Sequence, residues 1–442
     1  MKLKKPITKK FLLLYIIFAF LLNLYLLYPG NLFPDSCDQF KQAINGAFES
    51  HHPSMMTFWW SIMMKIWLHP AAMFIFHLVL LWAASFNFYK MLEQSKAAET
   101  ERKYNLSIIY LLLPLLPWIL FYSFLILKDV SFAYSYLFVA SMLARFSTKQ
   151  EKFTPLRISL FLLFLFYGTA VKYQARFVLP ILSWWFASIM SSDNFYKKLS
   201  LAIATFCLIY FCQTFANNLL VKNNESNSWQ LVKFYDLAAI STEENKEIVP
   251  NFTLKSEVYD FNRMKKVFNH YSIDSLFYGK TKVFVATNNN DELKELYNLW
   301  FQTVIKYPKS YIKQRLRQFK NTFYARAWLN TWPTELDYPA VGKKLTKFLS
   351  CFSYFTSLRC WIFFSPLYLI LGIIMSKKFQ DQRGKTLIMM NLCVPTIVVV
   401  LVPFSVGSDA RQLLIAVVML NYSHPIALSC INTLIKTFRI EK

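Results

Sequence analysis

The sequence predicts an all-α integral membrane protein of about ten transmembrane helices. An amphipathic helix is expected on the outer surface after span 1, and a mostly helical extracytoplasmic domain between spans 7 and 8. Three observations lead there. The chain of 442 residues is 55% hydrophobic and 18% aromatic, with mean hydropathy +0.30, more apolar than one or two soluble cores require. Its apolar residues gather in runs of spanning length. Its lysines and arginines mostly flank those runs, so the formal charge of +24 reads as orientation in a lipid bilayer, with no nucleic-acid partner.

The runs lie near residues 11–29, 71–90, 106–127, 130–145, 158–171, 177–191, 199–220, 360–376, 386–405 and 413–435. The first follows "MKLKKPITKK" and has the outline of a signal peptide. It is long enough to span, and no small-x-small cleavage site follows it, which predicts an uncleaved first helix. The runs at 130–145 and 158–171 are short for a full crossing. The segment 54–70, "SMMTFWWSIMMKIWLHP", has the length of an interfacial helix and carries Lys65.

Positive charge decides where that segment lies. If it does not cross, the short loops and flanks on the N-terminal side hold 22 Lys and Arg against 6 on the opposite side. If it does cross, the balance becomes about 9 inside to 18 outside, the reverse of the positive-inside rule. Both termini are therefore expected in the cytoplasm. The chain then divides into a membrane module over 1–220 with a first outer loop at 30–70, an extracytoplasmic domain over 221–359, and a second membrane module over 360–442.

The 21 basic residues of the middle segment do not count against this, because long loops translocate regardless of charge. Within it, "SWQLVKFYDLAAISTEENKEIVPNF" predicts a short helix and a loop. A pair of helices is expected to follow, separated by Pro308, with Leu296, Leu299, Trp300, Thr303 and Val304 as an apolar stripe on the first. Asn224 and Asn251 match glycosylation sequons.

Several function classes find no support. No P-loop, GxSxG or HExxH pattern is present, so ATP-driven transport and serine hydrolysis have no sequence basis. Seven scattered cysteines form no C-x-x-C or His-Cys spacing for zinc. Eight glycines and the absence of any 20–50-residue repeat argue against glycine-packed channels and solenoids.

The charged residues that remain collect on one side. The first outer loop holds Asp35 and Asp38, with His51 and His52 before Pro53. Lys128 and Asp129 stand between spans 3 and 4, Lys172 and Arg176 between spans 5 and 6, and Asp409 and Arg411 between spans 9 and 10. Ionisable groups at a membrane boundary are costly unless paired or hydrated, so a ring of them on one face suggests a polar site for an anionic ligand. A partly desolvated Asp can take a proton from an attacking hydroxyl, while Lys and Arg neutralise a departing phosphate.

Plainer roles stand beside these. Asp35 has the spacing of a helix N-cap. Lys128 and Asp129 can mark a helix end, and Lys172, Arg176 and Arg411 can anchor to lipid headgroups. Adjacent His51 and His52 would need a third ligand from elsewhere to hold a metal.

"FPDSCDQFKQAINGAFESHHPSMMTFWWSIMMKIW" resembles the first outer loop of the GT-C superfamily of polyprenyl-phosphate-sugar-dependent glycosyltransferases, in which an acidic residue after span 1 precedes a small-residue helix, a proline and an apolar helix on the outer face. "LKDVSFAYSYLFVASML" resembles that superfamily's second acidic site, and "SDARQLLIAVV" the charged entry to a late span in related bacterial proteins. The resemblance covers roughly 11–220 and 360–435.

It implies a GT-C-like fold in a bacterial inner membrane and an inverting transfer of sugar from a polyprenyl-phosphate-linked donor to an acceptor glycan, lipid or protein. Asp35 and Asp129 would be the catalytic acids. Lys128, Lys172, Arg176 and Arg411 would hold the donor phosphate, with Asp38, His51, His52 and Asp409 supporting the loop or the acceptor. The one cofactor left open is a divalent cation, Mg or Mn. Two other classes stay open: a surface-polysaccharide polymerase or ligase using His270, Arg315, Arg317 and Arg326 of the large loop, and a lipid or solute transporter without covalent chemistry. A transporter would place charge at mid-membrane in mirrored halves, whereas seven runs precede the large loop and three follow it.

Overall fold

The computed structural model describes residues 9–49, 52–95, 106–148, 154–191, 194–221, 227–327 and 343–440. These are mostly helical, and among them no strand forms beyond two isolated β-bridges, Asn31 with Leu125 and Ser272 with Gly407. The main helices are α1 (Lys9–Leu27), α2 (Pro34–Asn45), α3 (Met55–Met64), α4 (Ala71–Glu93), α5 (Pro117–Ser123), α6 (Lys128–Ser147), α7 (Pro155–Ala170), α8 (Ala175–Met190) and α9 (Phe195–Leu220). After them come α10 (Trp229–Glu244), α11 (Asn290–Lys306), α12 (Pro308–Tyr324), α13 (Phe364–Lys378), α14 (Gln382–Phe404) and α15 (Leu414–Ile440).

Helices stand at each of the ten apolar runs, with the run at 106–127 broken. There Leu106–Leu115 and α5 meet at a bend of 50°, where Pro117 starts a new helix. Among the described residues, five helices are long and apolar enough to cross a membrane, or six if the bent pair is one span; α7 and α8, with 16 residues each, are shorter. Exposed Phe11, Leu14 and Phe18 on α1 and Phe211, Phe215 and Leu219 on α9 form apolar outer surfaces of the kind that face lipid. The segment expected to be helical over 54–70 forms a helix only to Met64. Met56, Trp60 and Met64 are buried, and Lys65 stands at its C-terminal end.

The core is built around α6, which is buried along almost its whole length and packs against α4, α7, α8, α14 and α15. Its sequence explains this. Serines and alanines at 131, 133, 135, 140, 141 and 144 keep its surface thin enough for neighbours to approach. Gly168 of α7 is where the approach is closest: a Cβ there would lie 2.6 Å from the Tyr136 ring. The same tightness recurs where α13 crosses α14, since a Cβ on Gly384 would fall 2.6 Å from the Gly372 carbonyl. Polar side chains inside the bundle find partners on other helices, including His77 with Ser131 (2.6 Å), Asn87 with Ser141 (3.1 Å) and Asn391 with Ser423 (3.0 Å). Each such bond contributes modestly, about 0.6 kcal/mol on average.

A second cluster of buried apolar residues lies in the middle segment, formed by Phe234, Leu237, Met264, Leu276, Phe284 and Leu296 among others. The expected stripe on α11 is there: Leu296 and Thr303 are buried, and Leu299 and Trp300 pack against the cluster. Asn289 caps α11 by accepting from the Asp291 amide at 2.9 Å, and Pro308 opens α12.

Arg315 of α12 ties this unit to the membrane helices. Its guanidinium donates to Asp236 Oδ2 of α10 (2.6 Å) and to the Ser405 carbonyl after α14 (2.8 Å), while Trp300 Nε1 donates to the same carboxylate oxygen (2.9 Å). The pair is fully buried. Removing one member of such a pair leaves a charge without compensation, which typically costs about 3–5 kcal/mol. Arg315→Ala and Asp236→Asn are therefore each expected to lower the unfolding midpoint strongly in detergent, with Arg315→Met/Asp236→Leu recovering part of the loss. A single variant as stable as the parent would show that the pair does not hold the two units together.

Candidate functional site

Asp35 and Lys128 are both placed by short backbone contacts. Gly30 takes φ +89°, a conformation that suits glycine, and a Cβ there would sit 3.0 Å from Ile126 and Phe74. The chain then runs beside residues 124–126: the Asn31 amide donates to the Phe124 carbonyl (2.7 Å) and the Ile126 amide to the Asn31 carbonyl (3.0 Å). Ser36 Oγ donates to the Ile126 carbonyl. Pro34 starts α2 and Leu127 precedes α6, so the first turns of two helices come side by side with Asp35 on one and Lys128 on the other.

A second bridge delivers Asp409 and Arg411. Ile273 donates its amide to the Val406 carbonyl (3.0 Å), and Ser408 donates to the Tyr271 carbonyl (2.6 Å). The loop between α14 and α15 is thereby gripped by the middle segment, called the outer unit after its expected side of the membrane. Asp409 caps the turn that follows, accepting from the Arg411 amide (3.0 Å), and its other oxygen pairs with Arg411 Nε (2.8 Å).

These two devices assemble one cluster. Asp35 Oδ2 lies 3.4 Å from Arg411 Nη1 and 3.7 Å from Lys128 Nζ. Lys128 Nζ also meets His52 Nδ1 at 2.5 Å. At the next residue of α6, Asp129 pairs with Lys172 from the loop between α7 and α8, and both are buried, at 3% and 5% exposure. A narrow recess beside Arg411 is lined by Phe33, Tyr122, Leu125, Leu127 and Asp409. Burial pushes the Asp409 carboxyl up, against the downward pull of Arg411.

The segment that carries the second apolar cluster meets the loop before Asp409 and Arg411 through residues 271–273. The Tyr278 hydroxyl is pushed up by burial and further by the carboxylates of Asp274, Asp35 and Asp38, which places Tyr278 within range of their field. Tyr278 also borders a hollow of about 270 Å³ lined by Ser228, Leu231, Phe277, Lys282 and Phe284.

Six of the expected site residues thus come together: Asp35, Lys128, Asp129, Lys172, Asp409 and Arg411. Asp38 is exposed on α2 nearby, and His52 joins through Lys128. Arg176 is directed elsewhere, donating to Gln213 of α9 (3.2 Å) and stacking on Tyr173 and Tyr210. His51 and the sequon at Asn224 lie outside the described residues. The capping role for Asp35 does not hold, because Phe33 occupies the N-cap and Asp35 is the second residue of α2.

No protein-family model, curated protein or solved structure matches the chain. The site is therefore read from its own chemistry. Among the described residues, no three His, Cys, Asp or Glu side chains converge as metal ligands, and Asp35, Asp129 and Asp409 are each already paired with a protein cation. These residues do not fit a divalent cation. They fit an anion.

Sequence reading missed Asp274 and Tyr278, which lie in a polar segment with no local motif to single them out. It also gave Lys172 the same role as Lys128, although the two sit in different surroundings. Asp129→Asn would leave the Lys172 ammonium buried without its counter-ion, an expected loss of about 3–5 kcal/mol. Lys128→Ala, at a partly exposed pair, should change stability by no more than about 1 kcal/mol. Thermal unfolding of the two purified variants checks this, and equal losses would remove the distinction.

Proposed function

We propose that the chain is an integral-membrane glycosyltransferase that moves a sugar from a polyprenyl-phosphate donor to an extracytoplasmic acceptor with inversion. The observation that carries this reading is the convergence of Lys128 and Arg411, from separate elements, on the partly exposed carboxylate of Asp35. A base and two phosphate-binding cations are what such a transfer needs within a few ångströms.

In the step proposed, an acceptor hydroxyl oxygen attacks the anomeric carbon and its proton passes to Asp35. The bond from that carbon to the phosphate oxygen breaks, and the phosphate leaves with the electron pair. Charge on the phosphate grows as the bond breaks, so Lys128 and Arg411 stabilise the departing group more than the bound donor, which is how fixed cations accelerate a reaction. Asp129 and Lys172 are buried together and hold the first turn of α6 in place.

Replacing Asp35 by Asn removes the base with little change in volume. The expected result is loss of at least about a hundredfold in transfer, the usual scale for a general base, seen as a changed surface-glycan profile by mass spectrometry in a strain carrying only the variant. Full retained transfer would sink the assignment. The polymerase or ligase reading has weaker support, because the loop arginines are engaged within the fold: Arg315 with Asp236, and Arg317 with Glu243 (3.2 Å). His270 is held by Gln314 (2.5 Å).

The reading places the cluster outside a bacterial inner membrane, with ten spans and cytoplasmic termini, as the balance of short-loop charge supports. In a cysteine-free background, Lys280→Cys is expected to react with a membrane-impermeant maleimide on intact spheroplasts, and Lys377→Cys only after lysis. The opposite pattern would invert the orientation.

A further inference from the structure

The contacts of Asp35 carry a consequence for how the site is controlled. One oxygen, Oδ2, faces both Arg411 Nη1 (3.4 Å) and Lys128 Nζ (3.7 Å). The position it fills, midway between two cations on different elements, is where a phosphate oxygen would bind most favourably. We propose that the space between Lys128 and Arg411 is a lipid-phosphate site whose resting occupant is the Asp35 carboxylate, and that the incoming phosphate displaces it. This deepens the glycosyltransferase reading and rests on it for the identity of the phosphate.

Three features make the exchange physically reasonable. The three side chains are 18% (Lys128), 25% (Arg411) and 30% (Asp35) exposed, so a ligand can reach them, whereas the Lys172–Asp129 pair beside them is closed at 6% and 4%. Each cation has a second tether, Arg411 to Asp409 (2.8 Å) and Lys128 to His52 (2.5 Å), so both stay in position when the carboxylate leaves. Asp35 stands in the first turn of a helix whose Ser36, Gln39, Phe40 and Ala43 are buried, so a change of side-chain rotamer moves the carboxylate while the backbone stays fixed.

The exchange orders the reaction. While Oδ2 is directed at two cations, it is not turned toward an acceptor hydroxyl. Once the phosphate has taken both cations, the carboxylate is released toward solvent and the acceptor. The base then becomes available only when a donor is bound.

The test is binding of decyl phosphate, a short lipid phosphate, to the full-length protein in detergent, measured by isothermal titration calorimetry. If Asp35 competes for the site, Asp35→Asn should bind decyl phosphate about three- to tenfold more tightly than the parent, the scale expected for releasing two partly exposed ion pairs. Lys128→Gln and Arg411→Gln should each weaken binding. Asp35→Glu, which keeps the charge, should not tighten it. Asp35→Ser gives the same comparison with Asp35→Asn should the amide disturb α2, and size-exclusion profiles confirm that each variant is folded.

Equal or weaker binding by both neutral variants would overturn the proposal, as would absence of decyl phosphate binding in every form. The outcome is separable from that of the glycosyltransferase reading. Tighter binding together with unchanged transfer keeps the exchange and removes Asp35 as base, whereas unchanged binding with lost transfer does the reverse.

Discussion

Charge at the edge of an apolar bundle is tolerated when it is matched, and the architecture of this protein follows from how the matching is done. Asp129 and Lys172 meet between α6 and the α7–α8 loop, Asp35 meets Lys128 and Arg411, and Asp409 meets Arg411 again. Asp409 and Arg411 are neighbours on one loop, but the Asp129–Lys172, Asp35–Lys128 and Asp35–Arg411 pairs each require two distant segments to arrive together, and the fold can be read as the means of delivering them.

Two backbone bridges make that delivery. Neither belongs to a sheet, and each spans only a few residues. The contact of Asn31 with residues 124–126 fixes where α2 and α6 begin, and a helix start has a defined direction, so the side chains of its first turn are aimed with little freedom. The contact of residues 271–273 with 406–408 fixes the loop before α15 from outside the bundle. Placing Asp35, Lys128 and Arg411 at helix starts and on a clamped loop leaves them partly exposed, while the buried length of α6 supplies rigidity.

Much of this fold was legible in the sequence, and some of the site was not. The ten apolar runs each correspond to helical structure because spanning-length hydrophobicity is a property of local composition. The division of α11 from α12 at Pro308 was legible for the same reason, since proline acts on its own backbone. The grouping of Asp35, Lys128, Asp129, Lys172, Asp409 and Arg411 followed from sidedness alone, which places residues on a face but not beside one another. That limit explains Arg176, which shares the face and turns instead to Gln213, with Tyr210 under its guanidinium. It also explains Asp236 and Arg315, whose pairing joins residues 79 positions apart and leaves no trace in local pattern. Helix ends were the weakest point: the apolar character of 54–70 continues past Met64, while the helix stops there.

The loop from Ser405 to Arg411 is where the two parts of the molecule become one. Ser405 is held through its carbonyl by Arg315, Val406 and Ser408 by the bridge to 271–273, and Gln412 closes the turn by donating to the Gly407 carbonyl (3.0 Å). Three residues after Ser408, Arg411 faces Asp35. A displacement of the outer unit relative to the helices must therefore pass through the residue that sets the spacing between Arg411 and Asp35. The buried Arg315–Asp236 pair, through the Ser405 carbonyl, and the partly exposed pair that holds Asp35, through Arg411, are thus connected by fewer than ten residues of backbone on the same loop.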